Sequence, residues 1–359
     1  MPTRCSTWCT VMSLKIAGQP IGTRAPVFVI AEIGLNHGGS LARALELVDA
    51  AAYARASAIK LQTLYADRLV AESCPAPAHV SASSLREFFT RFELDVDAHR
   101  AIIERARSHG MAVMSTPFSE DAVPMLQALE IDAFKIASGD LTYDGLIATA
   151  ARTRLPLIMS TGMSTVDEAA HALAVARRSG GSEVAMLHCV SAYPTPGHAE
   201  NLRAMLTLAA ALQVPVGLSD HGRGLPSAIA AVALGACVYE RHLMLDGDTE
   251  AIDASVSSTP SELRTIVQAM EETRLALGTG RKACQRVEAP NMIPSRRGLY
   301  ARRAMRAGEF VSDADVIALR PASALTPVDL PRLVGSAVSR DLAAGEPFLA
   351  TDLAMERAS

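Results

Sequence analysis

From Val27 onward the chain alternates between short runs of apolar and β-branched residues and longer Ala- and Leu-rich stretches of helical length. The short runs predict strands at 27–31, 58–62, 112–115, 133–137, 156–160, 184–188, 215–218 and 237–242. Between and after them the spacing predicts helices at 41–55, 98–108, 119–129, 165–179, 199–211, 226–234 and 261–277. Strands that alternate with helices pair in parallel through crossover helices. Eight such units in succession fit an α/β fold of the closed (β/α)8 barrel kind, which takes roughly 250 residues. A doubly wound open sheet is the other arrangement of such units. It carries a glycine-rich phosphate turn after its first strand, and Gly38-Gly39 is a poor version of one. Ahead of the first strand, the segment SLKIAGQPIG predicts a hairpin on the barrel floor.

The pattern breaks in three places. A long stretch at 64–97, rich in Ser and Pro, separates the second strand from its helix, and loops of that length are functional lids or disordered. After the last helix, 278–294 is rich in Gly, Arg and Pro and reads as a linker. Beyond it, AGEFVSDADV and AGEPFLATDL repeat one short phrase, which predicts two copies of a small β-type unit. The expected organisation is a flexible extension at 1–12, a barrel at 13–280, a linker at 281–297 and a small β-rich domain at 298–359.

Composition narrows the function. The apolar fraction of 49% supplies a large core, and 4% aromatics makes it one of Ala, Leu, Val and Ile. A net charge of −4 argues against a nucleic-acid surface, which carries a basic excess. No apolar run approaches the roughly 18 residues needed to cross a bilayer, and 1–11 lacks the apolar centre of a secretory signal, so a cytoplasmic protein is expected. The six cysteines are scattered, and the C-x3-C of Cys5 and Cys9 has no second Cys or His pair near it to suggest zinc.

Candidate chemistry gathers where each predicted strand ends. In barrels the active site is built at the C-terminal ends of the strands. There the sequence places Glu32, Lys60 with Gln62, Ser115, Lys135 with Ser138 and Asp140, Ser160, His188 with Ser191 and Tyr193, Ser219 with His221, and Glu240 with His242. Lys60 and Lys135 lie inside apolar runs, AIKLQT and AFKIAS, and a buried ammonium needs a partner or a bound anion. With Ser138, Ser160 and Ser219 they would make a phosphate or carboxylate pocket. Pairing of the lysines with Glu32, Asp140 or Glu240 is the structural alternative. His221 and His242 end successive strands, where imidazoles share a divalent cation or serve as acid and base.

Taken in order, AEIGLNHGG (31–39), KLQT (60–63), KIASGD (135–140), STGM (160–163), YPTP (193–196), GLSDH (217–221) and ERH (240–242) resemble the sialic acid synthase family. The C-terminal part, with LRP at 319–321, is similar to that family's antifreeze-like (SAF) domain. The resemblance implies condensation of phosphoenolpyruvate with an N-acyl amino-sugar aldehyde to a nine-carbon 2-keto acid plus phosphate. It also implies a divalent cation, Mn2+ or Mg2+, and a domain-swapped homodimer. Carried onto this chain, Lys60, Lys135, Ser138, Ser160 and Ser219 hold phosphoenolpyruvate, and His221 and His242 ligate the metal. Glu32, Asp140 and Tyr193 form the catalytic set. Gln62, Ser191, Asp253 and Arg320 of the partner subunit meet the sugar. The chain departs from the family pattern at Ser191, where N-acetylneuraminate-forming members often carry Asn, at Asp140, where Glu also occurs, and at Ala254, where His or an apolar residue is common. These departures bear on the sugar. The rival readings are another phosphoenolpyruvate-dependent aldol-type synthase, which would need a further basic cluster for a phosphorylated sugar, and a non-catalytic saccharide-binding protein.

Overall fold

The structure is a computed structural model that describes residues 14–23, 25–75 and 82–353. The expected extension at 1–12, with Cys5 and Cys9, lies outside the described residues. The chain divides into two compact units, one ending at Gly278 and one beginning at Thr279.

The first unit opens with the floor hairpin, β1 (Leu14–Ile16) and β2 (Gln19–Ile21), paired antiparallel. All eight predicted barrel strands form: β3 (Phe28–Gly34), β4 (Ala58–Thr63), β5 (Ala112–Pro117), β6 (Ala133–Ile136), β7 (Leu157–Ser160), β8 (Val184–His188), β9 (Val216–Ser219) and β10 (Val238–His242). They pair in parallel around a closed barrel, and β10 returns to β3. The open-sheet alternative is thereby excluded. A helix not singled out from the sequence, Asp144–Arg152, supplies the crossover between β6 and β7. Helix starts follow local chemistry: Ser40, Asp95, Thr165 and Thr259 each accept a backbone N–H in the first turn, and Thr165 and Thr259 complete the exchange with Glu168 and Glu262.

Successive side chains of a strand face opposite sides, so each barrel strand carries two messages. Its outward residues, such as Val29, Ala31, Ile59, Leu61 and Phe134, join Leu47, Ile102, Leu126 and Leu173 of the helices in the main apolar layer. Its inward residues change along the strand. Near the floor, Phe28, Ile30, Ala58, Met114, Ala133 and Ile158 pack against Leu14, Ile16 and Ile21 of the hairpin. One or two inward positions later stand Glu32, Lys60, Lys135, Ser160 and Glu240. Gly217 faces inward on β9, where a Cβ would stand 2.2 Å from the Val238 carbonyl oxygen, so only glycine lets β9 and β10 approach. Within the long stretch after β4, the helices Ala66–Leu69 and Leu85–Thr90 form. Phe92 joins Leu35 and Leu64 in a satellite core, against which Phe88, Phe89 and Phe118 pack.

The second unit pairs β11 (Gly298–Ala301) antiparallel with β12 (Val316–Leu319) around Leu299, Val311, Leu333, Val338 and Phe348. Its repeated phrases are a structural repeat, related by an offset of 37 residues from Arg303 to Arg340. Gly308 and Gly345 both turn at positive φ, 81° and 83°. Glu309 accepts from the Arg306 N–H, as Glu346 accepts from that of Ala343. Asp315 accepts from the Ser312 N–H at 2.9 Å, as Asp352 does from that of Leu349 at 2.7 Å. Arg303 ion-pairs with Glu309, and Arg340 with Glu346. The halves interlock reciprocally: Gly308 N donates to Val338 O and Gly345 N to Ala301 O, while Met305 and Leu342 exchange both backbone bonds.

Candidate active site

A cavity of about 310 Å3 opens among the C-terminal ends of the barrel strands. Thirteen residues that the sequence singled out can be placed against it. Glu32, Lys60, Gln62, Lys135, Ser138, Ser160, Ser191, Tyr193, Ser219, His221 and His242 line it; Asp140 and Asp253 do not. Arg320 belongs to the second unit, directly after β12, where it is exposed and makes no ion pair among the described residues.

The centre of the cavity wall is a buried charge cluster. Lys60 Nζ lies 2.7 Å from Glu32 Oε2 and 3.0 Å from Glu240 Oε2. Lys135 Nζ donates to Ser160 Oγ at 2.5 Å and to the Ile136 carbonyl at 3.0 Å, and stands 3.9 Å from Glu240 Oε1. Ser219 Oγ donates to Glu240 Oε1 at 2.8 Å, and Gln62 Nε2 to Glu32 Oε1 at 3.2 Å. The lysines are therefore paired, with Glu32 and Glu240 and not with Asp140. Burial alone would raise the Glu240 carboxyl, but Lys135, Lys60 and Ser219 overcome it and hold it down at about 2. Burial pulls the Lys60 ammonium down to about 8 against the opposing pull of Glu240. Two ammonium and two carboxyl side chains thus share one buried part of the cavity wall.

The two histidines meet on the adjacent wall, with ring centroids 5.8 Å apart. His221 Nδ1 donates to the Val190 carbonyl at 2.9 Å, which makes Nε2 the acceptor nitrogen, with Ser219 Oγ 3.5 Å from it. Burial, offset in part by that carbonyl, pulls His221 down to about 4, so the ring is neutral at pH 7. His242 Nδ1 lies 3.2 Å from Asp253 Oδ2, and Tyr193 stacks on His221 with centroids 4.2 Å apart. Asp253 therefore acts from behind His242. Gly34 makes that possible: at φ 54°, a Cβ there would stand 3.1 to 3.3 Å from Glu32 Oε1, Asp253 Oδ2 and His242 Nδ1.

Among the described residues no three His, Cys, Asp or Glu side chains group into a metal cage. The donor set does fit a cation that takes two imidazoles and fills its shell from solvent and substrate. His221 has Nδ1 hydrogen-bonded to a carbonyl and His242 has Nδ1 3.2 Å from a carboxylate, the kind of partner that orients histidine ligands.

Glu240, named from the sequence as a strand-end residue and a possible lysine partner, is the hub of the charge cluster. Two residues were given no role from the sequence. Asn36 accepts from the Asp253 N–H at 3.0 Å and donates to Leu243 O and Ser257 Oγ, so it holds the loop that carries Asp253. Cys189 lines the cavity as a buried free thiol, 3.0 Å from Ser138 Oγ. Asp140 sits in the turn Ser138–Asp140 with Oδ2 buried and unpartnered, and burial raises it to about 6 against the pull of Lys135.

Comparison with known proteins gives the chain's family. The NeuB family model matches residues 47–282, and the SAF domain model matches 296–354. The chain is 36% identical to the N,N'-diacetyllegionaminic acid synthase of Legionella pneumophila, over 93% of this chain and 97% of that protein. It is 32% identical to a pseudaminic acid synthase of Campylobacter jejuni, over 92% and 97%. Among solved structures, the N-acetylneuraminic acid synthetase of Leptospira borgpetersenii matches with a TM-score of 0.72 at 32% identity, over 78% of this chain and 95% of that one.

Proposed function

The chain belongs to the NeuB family and is an enzyme of the sialic acid synthase type, and from that premise we propose that it condenses phosphoenolpyruvate with an N-acyl amino-sugar aldehyde. The products are a nine-carbon 2-keto acid and inorganic phosphate. The observation that carries this reading is the sharing of one cavity by two buried lysines and two histidines.

Lys60 and Lys135, with the hydroxyls of Ser138, Ser160 and Ser219, hold the phosphate and carboxylate of phosphoenolpyruvate. The substrate takes over the cations that Glu240 balances in its absence. His221 and His242 hold a divalent cation, Mn2+ or Mg2+, which when bound supplies Lewis-acid polarisation of the acceptor aldehyde. The C3 carbon of phosphoenolpyruvate attacks the aldehyde carbon, C2 becomes electron-poor, water adds there, and the C2–O bond to phosphate breaks. Glu32, held by Lys60 and Gln62, stands at the reacting carbons to move a proton. Fixing two substrates in line is the largest contribution of such a site, because effective molarities reach 10^5 M and above.

Gln62, Ser191, Tyr193 and Asp253 face or support the sugar. Ser191 in place of Asn, together with the relatives that carry legionaminic and pseudaminic names, favours a 2,4-diacetamido-trideoxyhexose over N-acetylmannosamine. The decisive assay is phosphate release with phosphoenolpyruvate and a panel of such sugars, with and without chelator. Turnover is expected only with metal. Turnover unaffected by chelator removes the cation from the reading, and none with any sugar removes the reaction.

The reading extends to a domain-swapped homodimer in which Arg320 of the partner subunit completes the site, its guanidinium fork suited to an acyl carbonyl. Inactive Lys60→Ala and inactive Arg320→Ala chains are expected to regain up to half-site activity when mixed and allowed to exchange. Absence of recovery sinks the swap and leaves the barrel chemistry standing.

A further inference from the structure

Two residues of the motifs at β9 and β10 have no place in the cavity. Alternation puts Ser219 and His221 inward and Asp220 between them outward; likewise Glu240 and His242 face in while Tyr239 and Arg241 face out. These outward residues are polar, buried and joined to one another. Asp220 is 3% exposed and Arg241 6%, and Tyr239 is fully buried. Asp220 Oδ2 accepts from Tyr239 Oη at 2.6 Å and lies 3.3 Å from Arg241 Nη1, while its Oδ1 accepts from the Gly222 N–H at 2.7 Å. Arg241 Nη1 donates to the carbonyls of Asp220 at 3.3 Å and Gly222 at 3.1 Å, and its Nε donates to Ser258 Oγ at 2.6 Å. Ser258 in turn donates from its N–H to the carbonyl of His242 at 2.8 Å.

We infer that Asp220, Arg241 and Tyr239 form a clamp behind the barrel wall that sets the spacing and aim of the two imidazoles, making Arg241 a positioning residue for the cation site. The inference rests on the reading of His221 and His242 as ligands. One guanidinium grips the backbone on both sides of His221, through Asp220 O and Gly222 O. The same guanidinium reaches, through Ser258, the segment bonded to His242. The backbone that carries either ring cannot slide without breaking one of these bonds. A buried ion pair adds little net stability over an apolar replacement, and its best-attested use is to fix one arrangement among several. A fork of five donors at fixed angles does this; a flexible ammonium does not.

The test uses the full-length protein without substrates and reads Mn2+ affinity by calorimetry or by the electron spin signal of free Mn2+. Arg241→Lys keeps the charge and loses the fork, and is expected to weaken Mn2+ by about 10- to 100-fold, the usual cost of losing a partner behind a metal ligand. Because a buried arginine change can impair folding, Tyr239→Phe and Ser258→Ala are measured alongside. Each removes one bond of the clamp and is expected to weaken Mn2+ severalfold while the protein stays folded. Lower thermal stability with wild-type Mn2+ affinity in the folded variants overturns the inference, because it marks the cluster as structural only. Failure of the wild-type protein to bind any divalent cation overturns the ligand reading itself, and the clamp's purpose with it.

Discussion

The two ends of the barrel interior are built from the same strands by opposite rules. At the floor the inward residues are Phe28, Ile30, Ala58, Met114 and Ile158, plugged by an apolar hairpin. At the mouth, a turn of the alternation later, they are Glu32, Lys60, Lys135, Ser160 and Glu240, and they satisfy one another. The floor stabilises the fold by removing apolar surface from water. The mouth holds charges whose removal from water costs several kcal/mol per ion before pairing offsets it. The first arrangement closes the barrel; the second is what the proposed binding of an anionic substrate calls for.

The strongest way to break this contrast is Lys60→Met. It leaves Glu32 and Glu240 without their near cation, so activity is expected to fall by about a thousandfold or more, at the upper end of what one electrostatic group supplies. Removing one member of a buried pair also costs about 3–5 kcal/mol at pH 7. That loss should shrink as pH falls and the stranded carboxyls take up protons, which chemical denaturation across pH would follow. Wild-type activity in this variant would place the chemistry elsewhere. At the floor, Ile30→Ala should cost about 2–5 kcal/mol of stability while turnover per folded molecule stays unchanged.

A pH experiment addresses the mouth alone. Lys60 is drawn down to about 8, below its ordinary value, so the folded site loses that proton earlier than the unfolded chain does. Its charge is present below pH 8 and is lost above it. The KM for phosphoenolpyruvate should therefore rise up to tenfold per pH unit above 8. Lys60→Arg should push that limb beyond the accessible range, and an identical limb in both proteins would assign it to another group. Glu240 behaves in the opposite sense: held down at about 2, it contributes stability above the usual glutamate range that is lost as pH falls toward 2.

The mildest test lies within a single strand. On β7, Ile158→Val at the floor should cost about 1 kcal/mol and leave KM alone. Ser160→Ala, two positions along, should raise the KM for phosphoenolpyruvate about tenfold with little change in stability, since Lys135 keeps the Ile136 carbonyl. Equal effects of the two on stability would erase the distinction between floor and mouth.

The strands were legible because their message is local. Apolar runs of four to seven residues alternate with helical stretches, and all eight appear within a few residues of their expected limits. Lys60 and Lys135 were legible as charges inside apolar runs, and His221 and His242 as strand-end imidazoles. Which of the three candidate carboxylates pairs with the lysines was not, because pairing depends on the closure of β10 onto β3, which brings Glu240 beside Lys60 from 180 positions away. Asp140 shares its motif with Ser138, yet the turn Ser138–Asp140 sends the two to different surroundings. Asp253 reaches His242 through a loop held by Asn36, an interaction that no periodicity announces. Asp220 and Arg241 of the clamp were hidden in plain view inside GLSDH and ERH, on the face the motif's chemistry does not use.

The repeat in the second unit makes each half the other's partner. Each half presents backbone groups that only the other half satisfies, and Met305 and Leu342 bond to each other as equivalents would across a two-fold axis. A chain with one half would carry edges complementary to its own copy. The present domain is in that sense a tethered dimer: two like halves joined in a single chain, with Arg303 and Arg340, Glu309 and Glu346, and Asp315 and Asp352 at equivalent positions.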